Sequence, residues 1–120
     1  MARVLVVDDD EGIREMLRAV LEYGGHDIED TSNYQCGVRA LETGDYDAVI
    51  CDGHFPMHAE GRPEPLGPEL LRRASEFCRV RILHSADDTL NAGMREDGIT
   101  VLPKCSNLAE ILNAVEGKGQ

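Results

Sequence analysis

Basic residues are scarce in this 120-residue chain: 12 Lys and Arg stand against 23 Asp and Glu, a formal net charge of −11. A sequence-independent nucleic-acid binder needs a basic face to displace counterions from phosphates, so direct nucleic-acid binding is not expected. An anionic membrane surface would repel the chain for the same reason. Long hydrophobic runs are missing too, since nothing approaches the roughly 20 apolar residues of a membrane span. Met1-Ala2-Arg3-Val4 leads straight into an apolar strand pattern, without the longer apolar core and cleavage site of a signal peptide. A cytoplasmic location is therefore expected. The four cysteines (Cys36, Cys51, Cys78 and Cys105) are never closer than 15 residues, which excludes a CxxC redox or zinc pattern. They fall in apolar or helical stretches, where reduced thiols act as small hydrophobes. Repeats, linkers and low-complexity tracts are also missing, so residues 1–120 are expected to form one domain.

What is present alternates. Val4-Leu5-Val6-Val7 is a continuous apolar run that ends in Asp8, Asp9 and Asp10. Such a run suits a strand buried on both faces of a parallel sheet. Ile13, Met16, Leu17, Val20 and Leu21 then recur at helical spacing, and Gly24-Gly25 stops that helix. Residues 26–30 are weakly patterned and predict at best a short edge strand. Val38 and Leu41 predict a short helix ended by Gly44. A second apolar run, residues 47–51, ends in Asp52. Residues 53–68 carry four prolines and three glycines and predict a long loop, with neither helix nor ladder. Leu70, Leu71, Ala74 and Phe77 restore helical spacing. Residues 80–84 read as a strand followed by Ser85, and Leu90 and Met94 suggest a short helix. Residues 99–102 form a last strand before Pro103-Lys104, and Leu108, Ile111, Leu112 and Val115 a last helix. Five β-α units predict an α/β fold with right-handed crossovers, a doubly wound parallel sheet with helices on both faces.

In such a sheet ligands bind beyond the carboxyl ends of the strands. That rule singles out Asp8, Asp9, Asp52, Ser85 and Lys104. Converging carboxylates repel one another unless a cation joins them. Oxygen ligands without Cys or His partners suit Mg²⁺, which shares ligands readily with a phosphate. Lys104, one of only two lysines, offers a compact charge for a phosphoryl oxygen, and the Ser85 hydroxyl a donor to the same group. Together they describe a carboxylate that accepts a phosphoryl group. Asp10 and Glu11 are explained as acids at a helix N-terminus, and Asp87 or Asp88 would serve as well as Ser85 for a helix cap. His54 and His58 are expected in the exposed loop and His84 half-buried, without metal-ligand spacing. Cys51 is expected to turn away from Asp52 into the core.

The stretches VLVVDDD at 4–10, VICDGHFP at 49–56, ILHSADD at 82–88 and VLPK at 101–104 resemble the response-regulator receiver domains of bacterial two-component signalling. The likeness is to the single-domain, chemotaxis-regulator (CheY-like) type. It implies a flavodoxin-like (βα)5 fold with strand order 2-1-3-4-5. Asp52 would be the phosphoacceptor. Asp9 would ligate Mg²⁺ directly and Asp8 through a water, with Asp52 and the backbone carbonyl of His54 completing the protein ligands. Ser85 and Lys104 would contact the phosphoryl group and switch with it. The implied donor is a sensor histidine kinase or phosphotransfer protein. The implied output is altered contact of a monomer or weak dimer with a downstream protein, whose identity the sequence does not carry. Such a module is not an enzyme beyond its own Mg²⁺-dependent phosphorylation and dephosphorylation. Two departures motivate an alternative, a pseudo-receiver that acts as an interaction module without phosphorylation: Cys105 rather than proline follows Lys104, and Val101 stands where an aromatic is common. The loop after Asp52 is also lengthened. A trans bond is expected at Lys104-Cys105.

Overall fold

The computed structural model describes residues 1–94 and 98–117. Its elements are β1 (Arg3–Val7), α1 (Glu11–Tyr23), β2 (Asp27–Thr31), α2 (Tyr34–Thr43) and β3 (Ala48–Cys51), then α3 (Gly67–Arg73), β4 (Val80–His84), α4 (Asp88–Met94), β5 (Thr100–Leu102) and α5 (Leu108–Val115). The strands form one parallel sheet in the order β2-β1-β3-β4-β5.

Strand alternation divides the core in two. Val4, Val6, Ile50 and Ile82 face α1 and α5, against Leu17, Leu21 and Ile111. Leu5, Val7, Val49, Cys51 and Leu83 face the other way, against Leu41 of α2, Leu70 and Leu71 of α3 and Met94 of α4. β1 and β3 are therefore buried on both sides, as their unbroken apolar runs require. The helices start on side-chain caps. Asp10 accepts from the Ile13 N–H, Asn33 from the Cys36 N–H, and Asn107 and Glu110 form a capping box at α5. Gly25, at φ +83°, carries the chain out of α1 toward β2.

The weakly patterned residues after Gly25 do form an edge strand, five residues long, because β1 supplies a full parallel ladder to pair with. The segment after Asp52 departs from expectation: it is not featureless. Phe55 and Glu64 exchange two backbone hydrogen bonds (3.1 and 3.0 Å) as an antiparallel bridge, and the Phe55 ring is fully buried. The carbonyls of Pro56 and Met57 accept from the Tyr34 and Gln35 N–H groups, which are the orphan donors at the start of α2. The segment ends two residues earlier than expected, since Gly67 and Pro68 already belong to α3. No described helix is long and apolar enough to cross a membrane.

Candidate functional site

Hydrogen bonding of the sheet continues one residue past three strands and fixes the residues that follow. The Asp8 N–H donates to Thr31 O (3.1 Å), the Asp52 N–H to Val7 O (2.9 Å) and the Ser85 N–H to Leu102 O (3.1 Å). Asp8, Asp52 and Ser85 thus sit at one edge of the sheet as extensions of β1, β3 and β4. Lys104 reaches the same edge from two residues beyond β5.

One oxygen from each of Asp8, Asp9 and Asp52 lies within 4.8 Å of the others, the only such group of potential metal ligands among the described residues. Asp8 is buried and held on both oxygens: the Asp10 N–H donates to Oδ1 (2.9 Å) and Lys104 Nζ to Oδ2 (2.8 Å). Arg14 of α1 donates to the Asp8 carbonyl (2.7 Å) and braces the turn. Asp52 is partly buried. Its Oδ1 accepts from the Gly53 N–H (2.7 Å), and its Oδ2 stands 3.7 Å from Lys104 Nζ. Burial, and then the Asp8 charge, lift the Asp52 carboxyl above its ordinary range; Lys104 and the Gly53 N–H oppose this, and Asp9 adds to it. A charge held at a disadvantage gains when a cation or a covalent bond takes part of it. The donor set, carboxylate oxygens and one lysine with no thiolate or imidazole among them, fits a hard divalent cation such as Mg²⁺.

Ser85 is buried, and its Oγ accepts from the Asp87 N–H (3.0 Å). Asp87, not Ser85, caps α4: its Oδ1 accepts from Thr89 and Leu90. A methyl group on Gly53 would lie 2.8 Å from Ser85 Oγ, so only glycine lets the two strand ends approach this closely. The half-exposed His54 ring stands 3.7 Å from Asp87 across the mouth of the site, a pairing the sequence did not signal.

The histidine and cysteine expectations are corrected in part. His84 is not half-buried but fully buried, with both ring nitrogens lacking a hydrogen-bond partner. Burial and the nearby Lys104 hold its pKa down to about 4. Cys51 does turn into the core, where its thiol meets Gly67 O at 3.6 Å and burial pushes its pKa up. Cys36, which falls in a helical stretch, is exposed, and so is Cys105 beside Lys104. Among the described residues every peptide bond is trans, including Lys104-Cys105.

Known proteins resemble the chain in sequence and in fold. The sequence model of the response regulator receiver domain matches residues 4–116. A response regulator receiver protein of Anaeromyxobacter sp. (strain Fw109-5) is 31% identical over 118 residues, 94% of this chain and 47% of that protein. The DNA-binding transcriptional regulator NtrC of Azospirillum brasilense is 30% identical over 121 residues, 96% of this chain and 24% of that protein. The chain thus spans less than half of either relative. Among solved structures, the response regulator TrrA of Thermotoga maritima, in complex with Mg(2+)-BeF, has a TM-score of 0.79 at 26% identity over 98% of each chain. The chemotaxis response regulator CheY4 of Vibrio cholerae, at 20% identity and a TM-score of 0.78 over 98% of each chain, shares the fold. With the family matched over almost the whole sequence and five strands in the order 2-1-3-4-5, the chain belongs to the response-regulator receiver domains of two-component signalling.

Proposed function

We propose that residues 1–120 form a single receiver domain that accepts a phosphoryl group on Asp52 from a histidine kinase or phosphotransfer protein. Receiver domains are signalling modules rather than classical enzymes, and they interact with partners of that kind. The observation that carries the reading is Lys104 Nζ, 2.8 Å from Asp8 and 3.7 Å from Asp52 beside three converged carboxylates. An ammonium already placed between two acids is positioned to follow negative charge as it develops.

In the transfer, an Asp52 oxygen forms a bond to phosphorus as the bond from phosphorus to the donor's imidazole nitrogen breaks. The electron pair leaves with that nitrogen. Lys104 shifts its charge from the aspartates toward a phosphoryl oxygen, and the Ser85 hydroxyl donates to another. Asp8, Asp9, Asp52 and the His54 carbonyl would hold Mg²⁺, which supplies charge neutralisation for the phosphoryl oxygens. The phosphorylated surface then signals by altered contact with a second protein. An intact acid pocket predicts that titrated Mg²⁺ shifts the amide resonances of Asp9, Asp52 and Gly53. Asp9→Asn should weaken that binding by roughly tenfold. Resonances that ignore Mg²⁺ in the native protein would contradict the assignment.

A further inference from the structure

Asn91 is a buried amide that the phosphoryl chemistry leaves unused. It lies on α4, 5% exposed, and its Nδ2 donates to the Ser85 carbonyl at 3.0 Å. Its Oδ1 is buried without a hydrogen-bond partner. A half-satisfied amide is a costly way to fill a core position, and an apolar side chain of similar size would fill it without leaving a polar atom orphaned. What the amide adds is a fixed link between α4 and Ser85.

The rest of the first turn of α4 rests on the same two strand ends. A Leu90 methyl carbon lies 2.9 Å from where a side chain on Gly53, the residue after Asp52, would begin. Ser85 Oγ accepts from the N–H of Asp87, the residue that caps the helix. The Ser85 N–H is committed to β5 through Leu102. Ser85 therefore holds α4 at two points, one through its hydroxyl and one through its carbonyl, with Leu90 seated against Gly53.

We propose that Asn91 is a positioning residue that couples α4 to the phosphorylation state of Asp52 through its hydrogen bond to the Ser85 carbonyl. The inference rests on the phosphoacceptor reading above. When the Ser85 hydroxyl turns to donate to a phosphoryl oxygen, the Asp87 N–H loses its acceptor. The Asn91 bond keeps the Ser85 carbonyl and α4 together, so the helix follows Ser85 instead of separating from it.

The test uses ¹⁵N-labelled protein of residues 1–120 with Mg²⁺ and beryllofluoride, a phosphoryl mimic. In the native protein, the amide resonances of Asp88, Thr89, Leu90 and Asn91 should shift on addition, together with those around Asp52. Asn91→Leu removes the donor and the orphaned oxygen together and keeps the volume. It should still bind beryllofluoride at Asp52, seen in the shifts around Asp52 and Gly53, while the α4 shifts at saturation shrink several-fold. Asn91→Ala serves as the second variant and should behave in the same way. A native-sized α4 response in either folded variant overturns the proposal and leaves the phosphoacceptor reading intact. A native protein whose Asp52 region ignores beryllofluoride removes that reading, and the proposal with it.

Discussion

At the scale of single residues, position along a strand decided which side chains could be read in advance. Asp8, Asp52 and Ser85 each follow directly on an apolar run, so knowing where the run stops is enough to place them at the sheet edge. His84 belongs to the same run but escaped this logic. Alternation puts it on the face of Val80 and Ile82, yet how deeply that face is covered depends on packing that no local pattern encodes. Its burial has a pH consequence. The folded chain holds His84 neutral down to about pH 4, whereas an unfolded chain takes up the proton near pH 6.5. Its folded pKa is depressed, so the neutral imidazole costs nothing above pH 6.5, and the fold loses stability as pH falls from there toward 4. About 2 kcal/mol should disappear between pH 7 and pH 5, above the range where ordinary carboxylates titrate. Urea denaturation at the two pH values measures it. His84→Leu should be markedly less sensitive over that interval, and equal sensitivity in the two proteins would contradict the burial argument.

At the scale of elements, the segment between β3 and α3 was legible as an interruption but not as a structure. Prolines and glycines announced that no regular ladder or helix could run through it. They did not reveal that Phe55 would sink into the core, or that its bridge to Glu64 would brace the loop, because these are long-range contacts among residues with turn propensities. β2 was faint for a related reason: its acidic edge sequence gains a strand's hydrogen bonds only from β1. The loop returns to the sheet at Gly67, whose N–H donates to Gly53 O at 3.1 Å. A Cβ there would stand 2.2 Å from Asp52 O and 2.9 Å from Gly53 Cα, both backbone atoms. Backbone cannot step aside as a side chain can, so Gly67→Ala should cost about 2 kcal/mol or more in denaturant unfolding. Gly93 in α4 is the control, because a Cβ there meets nothing within 4 Å. Gly93→Ala should stabilise by about 0.5–1 kcal/mol through helix propensity alone. Similar losses at both glycines would mean that close approach is not what Gly67 provides.

At the scale of the whole molecule, the charge of −11 separates into two populations. Most of the acids are exposed, and the ion pairs they make with arginine are surface pairs of little energetic weight, such as Arg18 with Glu22 and Asp30. The second population is Asp8, Asp9 and Asp52, one buried, one exposed and one between, which the parallel sheet delivers to one edge with Lys104 among them. The alternation of β and α patterns made the architecture legible, and the architecture made the site legible. What stayed hidden was the support around it: Arg14 on the Asp8 carbonyl, Gly53 against Ser85, and Asn91 on α4. The account's central claim is that this edge accepts a phosphoryl group on Asp52. The most direct measurement is the mass of the protein after incubation with acetyl phosphate and Mg²⁺, with the modified peptide then mapped. The account predicts the gain of one phosphoryl group, located at Asp52, dependent on Mg²⁺ and missing in Asp52→Asn. A native protein that gains none, or gains the same as Asp52→Asn, would contradict it and favour an interaction module that works without phosphorylation.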